Sequence, residues 1–152
     1  MNVRKAKAHE LDCIYAMGFD VWNDGLTFEE YLTACRKSTK YQSGTWYLLI
    51  DNDKIVSSLI VYSDNFGLKE GCFGVGSVAT SPNCRGKGYA SYCISSITTE
   101  LFANSNCKAV YLHSDIGYEF YHKLGFVRIE GTDCMLYAKQ SSKWDHSIPS
   151  YF

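Results

Sequence analysis

A mixed α/β domain is the fold class this chain predicts, and three observations point to it. Short runs of β-branched and aromatic residues, such as 45–50, 55–62 and 109–112, alternate with stretches whose apolar residues recur at helical spacing. Hydrophobic residues make up 46% of the 152 positions, enough for one domain with its own core. Between Gly74 and Ser91 the chain reads GVGSVATSPNCRGKGYAS, where an apolar strand breaks at Pro82 and re-forms as a helix across a basic, glycine-spaced turn.

In chain order, Val3 to Ala6 alternates apolar and charged residues as a first strand. His9, Glu10 and Asp12 then stand in the first turn of a helix whose buried face is Leu11, Ile14 and Tyr15. Residues 18–26 break that pattern, and Thr27 followed by Glu30 is a capping-box signature for a second helix through Phe28, Tyr31, Leu32 and Cys35. Asp20, Asp24, Glu29 and Glu30 form an acidic cluster that reads as a solvated face and would also suit a cationic amine. Residues 51–54 are a polar hairpin connection between two strands, and residues 63–71 are a polar loop. Gly74 and Gly76 weaken the central strand that follows and suggest a bulge or the close approach of a ligand. Pro82 lacks the N–H that a central ladder position needs, so that strand ends there. Ala90, Cys93, Ile94, Ile97 and Leu101 mark the central helix. A compact strand at 109–112 follows, then a short helix over 116–124 stopped by Gly125, a strand at 126–129 and a last strand through Met135, Leu136 and Tyr137. The tail from Ser141 to Phe152 carries Trp144, Tyr151 and Phe152. Its terminal aromatics are expected to dock on their own domain or on a second subunit, which leaves a homodimer open.

Net charge is −1 and no long basic run occurs, so neither nucleic acid nor a polybasic membrane surface is an expected partner. No apolar run approaches the ~20 residues of a spanning helix, and MNVRKAKAHE lacks an apolar h-region, so a cytoplasmic location is expected. The seven cysteines are odd in number and scattered, without a C-x-x-C pair, which argues against a zinc site or disulfide framework. No metal is expected. His113-Ser114-Asp115 contains the residue types of a hydrolase triad, but triad members meet through the fold and no G-x-S-x-G elbow is present.

The turn before the central helix carries the chemistry. A helix N-terminus presents unpaired N–H groups and the positive end of its dipole, to which Arg85 and Lys87 add full charges. Gly86 and Gly88 remove the β-carbons that would keep an anion away from the amides. A phosphate, or better a pyrophosphate, is the expected guest. The dinucleotide pattern G-x-G-x-x-G does not fit, nor does the P-loop, because Lys87 is followed by Gly88 and Tyr89. A turn that merely joins strand to helix is the plain alternative.

Arg85, Gly88 and Ala90 do fit R-x-x-G-x-A, after a strand ending V-A-T and a Pro three residues before the Arg. This resembles the acetyl-coenzyme A motif of the GNAT superfamily of N-acetyltransferases. GYEFYHKLGF, residues 117–126, is similar to the ending of the same family, in which an aromatic and a Tyr precede a charged residue and L-G-F. The resemblance implies a GNAT fold, a mixed and mostly antiparallel central sheet of six to seven strands, splayed at the cofactor site and flanked by about four helices. It places the domain at residues 1–140, with a C-terminal tail at 141–152.

It also implies transfer of acetyl from acetyl-coenzyme A to a primary amine, whether small molecule, amino acid or peptide. The pyrophosphate would lie on Arg85, Gly86, Lys87, Gly88, Tyr89, Ala90 and Ser91. The pantetheine would pair against Val78, Ala79 and Thr80, with Ser114 at a position where an Asn often touches it. Tyr118 replaces a small residue beside that channel. Tyr121 stands at the family's general-acid position, and a phenol of pKa ~10 matches a departing thiolate in basicity; its plain alternative is a packing aromatic. Gly74, Val75 and Gly76 offer no carboxylate where some members place a Glu, although an amine of pKa ~10.4 is uncharged only about one part in two to three thousand at pH 7. A water chain ending at Glu70, Asp64 or His113 is one way to relieve it of the proton, with nothing in the sequence to choose among the three. An idle coenzyme-A-binding or regulatory module is the alternative reading.

Overall fold

The computed structural model describes residues 1–104, 106–138, 149 and 151–152. Its strands are Asn2–Lys5 (β1), Thr45–Asp51 (β2), Lys54–Tyr62 (β3), Cys72–Thr80 (β4), Ala109–His113 (β5), Val127–Arg128 (β6) and Cys134–Ala138 (β7). They form one sheet in the order β1-β2-β3-β4-β5-β7-β6. β1–β2, β2–β3, β5–β7 and β6–β7 pair antiparallel, while β4 and β5 run parallel. The α-helices are Leu11–Met17 (α1), Phe19–Trp22 (α2), Phe28–Lys37 (α3), Thr39–Ser43 (α4), Tyr89–Asn104 (α5) and Tyr118–His122 (α6). Six among the described residues exceed the four expected, because α2 and α4, of 4 and 5 residues, are too short to display a period. No helix among the described residues is long and apolar enough to cross a membrane.

The chain forms two units. One comprises Met1–Val61 and Ser77–Ile94, the other Tyr62–Gly76 and Ser95–Phe152, so β4 and α5 each contribute to both.

In the first unit, local chemistry sets the elements. The Thr27 hydroxyl accepts from the Glu30 N–H at 3.2 Å, and the Glu30 carboxylate accepts from the Thr27 N–H at 3.0 Å, so the predicted capping box starts α3. Arg36 near its C-terminus makes a two-pronged contact to Asp12 of α1 at 2.9 and 2.8 Å. Asp51 pairs with Lys54, leaving Asn52 and Asp53 as a two-residue turn with φ of 49° and 63°, the left-handed pair that matches strand twist in a tight hairpin. Leu48, Leu49, Leu59 and Ile60 are completely buried in this unit, and Ile14, Met17 and Leu32 nearly so. Each contributes roughly 1.5–3 kcal/mol of burial.

In the second unit, β4 and β5 are in register from Cys72↔Ala109 to Val75↔Leu112. Val110, Leu112, Phe126, Met135 and Leu136 form the core with Ile97 and Leu101 of α5. The α6 helix is shorter than the 116–124 expected and ends at His122, and the Phe126 N–H turns back to the Tyr121 carbonyl at 3.1 Å. Of the C-terminal tail, Pro149, Tyr151 and Phe152 are described; Trp144 lies outside the described residues. Tyr62, Phe66, Tyr151 and Phe152 meet edge to face or tilted at 4.8–6.2 Å. The Phe152 ring lies over Gly74, where a β-carbon would collide with it. The close approach read from Gly74 is therefore made by the chain's own terminal ring, and the aromatic pair docks on its own unit.

Candidate functional site

The expected site residues fall into two sets. Val78, Ala79, Thr80 and the run Arg85 to Ser91 belong to the first unit, Ser114 and Tyr121 to the second.

In the first set, β4 is followed by a 3-10 turn, Pro82–Cys84, anchored by the Ser81 N–H to the Val56 carbonyl at 2.9 Å. Arg85 is extended, and Gly86 and Gly88 follow with φ of +79° and +82°, a region that side-chain-bearing residues rarely enter. A β-carbon at either glycine would meet no atom within 4 Å, so both Cα atoms face open space. Tyr92 donates the first intrahelical bond of α5, to the Gly88 carbonyl at 3.0 Å. The amides of Tyr89, Ala90 and Ser91 thus form the first turn, with no carbonyl four residues back inside the helix. An open turn, glycine on both sides of Lys87 and a helix of 16 residues behind it are the features a helix N-terminus needs to receive an anion.

The side chains divide the work unevenly. Lys87 is exposed, and among the described residues no ion pair or hydrogen bond holds its ammonium. Arg85 is engaged: Nη1 and Nη2 grip the Asp20 carboxylate at 2.6 and 2.8 Å. This hydrogen-bonded pairing pushes the Asp20 carboxyl below and the Arg85 guanidinium above their ordinary values. Tyr89 donates to Asp51 Oδ2 at 2.5 Å, which raises the phenol's pKa. Asp20 and Asp51, the partners of the turn, carried no motif; the only signal for Asp20 was its place in the acidic cluster. Of that cluster, Asp20 is taken by Arg85 and Glu30 by the capping box, so the pull toward a cationic amine is weaker than the composition suggests.

At the end of β4, the Ala79 carbonyl accepts from the Ser57 hydroxyl at 2.8 Å and the Thr80 carbonyl from Arg85 Nε at 3.1 Å. Ser77, just before Val78, has φ of +45°. Left-handed backbone in β4 therefore falls on a serine and on neither glycine, a strained conformation for a residue with a side chain. The Ser77 hydroxyl donates to the Tyr41 oxygen at 3.2 Å.

In the second set, Tyr121 is 8% exposed, edge-on to Phe120 at 5.0 Å and to Phe126 at 6.3 Å. Burial, with a smaller contribution from the Asp115 charge, raises its pKa, so the phenol holds its proton at neutral pH. Ser114 is buried and gives its hydroxyl proton to the Ile116 carbonyl at 2.6 Å, leaving only lone pairs for any further partner. The same bond leaves no Ser–His contact for a triad; His113 instead faces Asp115 at 3.5 Å. Tyr118 is held by Asp133 at 2.6 Å, with the Arg128 guanidinium 4.2 Å above its ring. Glu70, Asp64 and His113 are all exposed.

Residues 8–126 match the model of the acetyltransferase (GNAT) family. Among curated proteins compared by sequence, none matches. Among solved structures, a chimera of the spermidine N-acetyltransferase SpeG from Vibrio cholerae with hSSAT is similar at 16% identity and a TM-score of 0.69, over 93% of this chain and 98% of that one. A GNAT family acetyltransferase from Brucella melitensis in complex with acetyl-CoA is similar at 15% identity and a TM-score of 0.66, over 91% and 87%. Tetrahymena GCN5 follows at 12% identity and a TM-score of 0.65, over 91% and 96%. At these identities the likeness speaks to the fold.

Proposed function

As the chain belongs to the GNAT acetyltransferase family, we propose that it transfers the acetyl group of acetyl-coenzyme A, a substrate of the reaction, to a primary amine by direct attack on the thioester. The observation that carries this reading is the open, left-handed glycine pair at Gly86 and Gly88 leading into the first turn of α5, whose amides have no carbonyl four residues back inside the helix. Acetyl-coenzyme A brings an activated acyl group whose carbon–sulfur bond breaks as the carbon–nitrogen bond forms.

The chain's own residues hold and move protons. The amides of residues 86–91 bind the pyrophosphate, with Lys87 adding charge. Val78, Ala79 and Thr80 line the pantetheine arm, and a main-chain N–H near Val78 polarises the carbonyl as charge develops. Tyr121 gives its proton to the departing thiolate, and the raised phenol pKa keeps that proton available at neutral pH. Ser114 offers the arm an acceptor. The proton lost by the attacking amine leaves through water, since β4 carries no carboxylate at residues 74–76.

The test is thiol release from acetyl-coenzyme A over a panel of primary amines headed by spermidine, the acceptor named for the similar Vibrio cholerae structure. Turnover on at least one amine is expected, and Tyr121→Phe should slow it about a hundredfold with little change in cofactor affinity. Unchanged turnover in that variant removes Tyr121 from the mechanism. A second reading, an idle coenzyme-A-binding module, is favoured by the absent carboxylate and by the Phe152 ring over Gly74; saturable binding without release on any amine would select it.

A further inference from the structure

Arg85 is the cation that the R-x-x-G-x-A pattern sets beside the anion turn, yet its guanidinium faces other partners. Nη1 donates to Asp20 Oδ2 at 2.6 Å, while Nη2 donates to Asp20 Oδ1 at 2.8 Å and to the Met17 carbonyl at 3.3 Å. Nε donates to the Thr80 carbonyl at 3.1 Å. One planar fork thereby joins the last residue of β4, the last residue of α1 and a carboxylate on α2, all within one unit. To serve a phosphate directly, the fork would have to release Asp20.

As a stability device the pair is poor. Its side chains are 40% and 46% exposed, and an ion pair that open to water adds little to folding. Its consequence is conformational. Gly86 and Gly88, immediately after Arg85, have the widest backbone freedom of any residue type, and that freedom must be given up when an anion settles on their amides. Fixing the chain at Arg85 lowers this cost before the ligand arrives, which is how pre-organisation strengthens binding.

Resting on the coenzyme A reading above, we propose that Arg85 is a positioning residue: its fork to Asp20, Met17 and Thr80 pre-orders the Gly86–Gly88 turn, and the phosphate charge is met by Lys87 and the helix amides. The α1–α2 corner and the cofactor turn are then one mechanical element, and a change at Asp20, 65 positions away in sequence, is felt as cofactor affinity.

Two substitutions separate a clamp from a phosphate ligand. Arg85→Lys keeps the charge and loses the fork, and Asp20→Ala frees the guanidinium. Coenzyme A affinity is measured by calorimetry on variants whose circular dichroism and melting temperature show them folded, with Asp20→Asn as the gentler alternative. Each single change is expected to weaken binding about tenfold, and the double variant to be no weaker than either, because both remove the same clamp. Hydrogen exchange at the amides of residues 86–89, in protein without ligand, should quicken in each variant. Wild-type affinity in Arg85→Lys, equal or tighter binding in Asp20→Ala, or additive losses in the double variant overturn the proposal. If the wild type binds no coenzyme A, the functional reading falls, while exchange at residues 86–89 still decides the clamp: faster exchange upholds it and unchanged exchange ends it.

Discussion

Gly74 in β4 and Gly88 before α5 both read as places kept bare for an approaching group, and the structure separates them. At Gly74 the room is already filled by the Phe152 ring, which a β-carbon would strike; at Gly88 a β-carbon meets nothing within 4 Å. Their backbones differ too, since Gly88 is left-handed at +82° and Gly74 is not among the residues with positive φ. One glycine is a packing residue for the Phe152 ring, the other an open conformational joint. A missing side chain announces space, and only the fold says what occupies it.

The widest separation should come from Gly88→Val. A β-branched residue is strained at that φ and crowds the amides, so coenzyme A affinity is expected to fall at least a hundredfold, about 2.7 kcal/mol; near-normal binding by calorimetry would remove the turn from the cofactor site. Next is Gly74→Ala, which acts on stability. Overpacking against Phe152 should lower the unfolding free energy by about 2 kcal/mol in denaturant titrations. In a Phe152→Ala background the same change should cost far less, because the colliding ring is gone. Additive losses would show that the ring and Gly74 do not share that space.

The smallest effect lies at neither glycine and calibrates the stability assay. Arg4 holds Glu10 in a two-pronged contact at 2.9 and 2.8 Å, and with the Lys7 N–H it lowers that carboxyl to about 2. A depressed folded-state pKa stabilises the fold above the unfolded value of about 4.3, and that contribution is lost as pH falls toward about 2. Melting temperatures of wild type and Glu10→Gln should therefore differ modestly at pH 6 and converge near pH 2. A gap that persists at pH 2 would deny the linkage.

Most of the fold was legible because its signals are short-range. Capping at Thr27 and Glu30, the hairpin around Asn52 and Asp53, the break at Pro82 and the period of α5 each need only a few neighbouring residues. The helices α2 and α4 escaped because four or five residues cannot show a period. At the site, the turn geometry was readable from its glycines. The partners of its side chains were not, and Arg85, read as an anion ligand, is gripped by a carboxylate from α2. The left-handed residue of β4 is Ser77, where a glycine was the natural guess, since strain of that kind is imposed by surroundings and leaves no mark in composition.

By itself, then, the sequence determined what local chemistry can enforce: strand, left-handed turn and helix start in series, with a protonatable phenol downstream in an aromatic context. Which groups meet over long separations was decided by the tertiary structure alone. Arg85 with Asp20, Tyr89 with Asp51 and Phe152 with Gly74 are pairs that no spacing rule connects, because their proximity arises from the packing of whole elements and not from the dihedral preferences of neighbours.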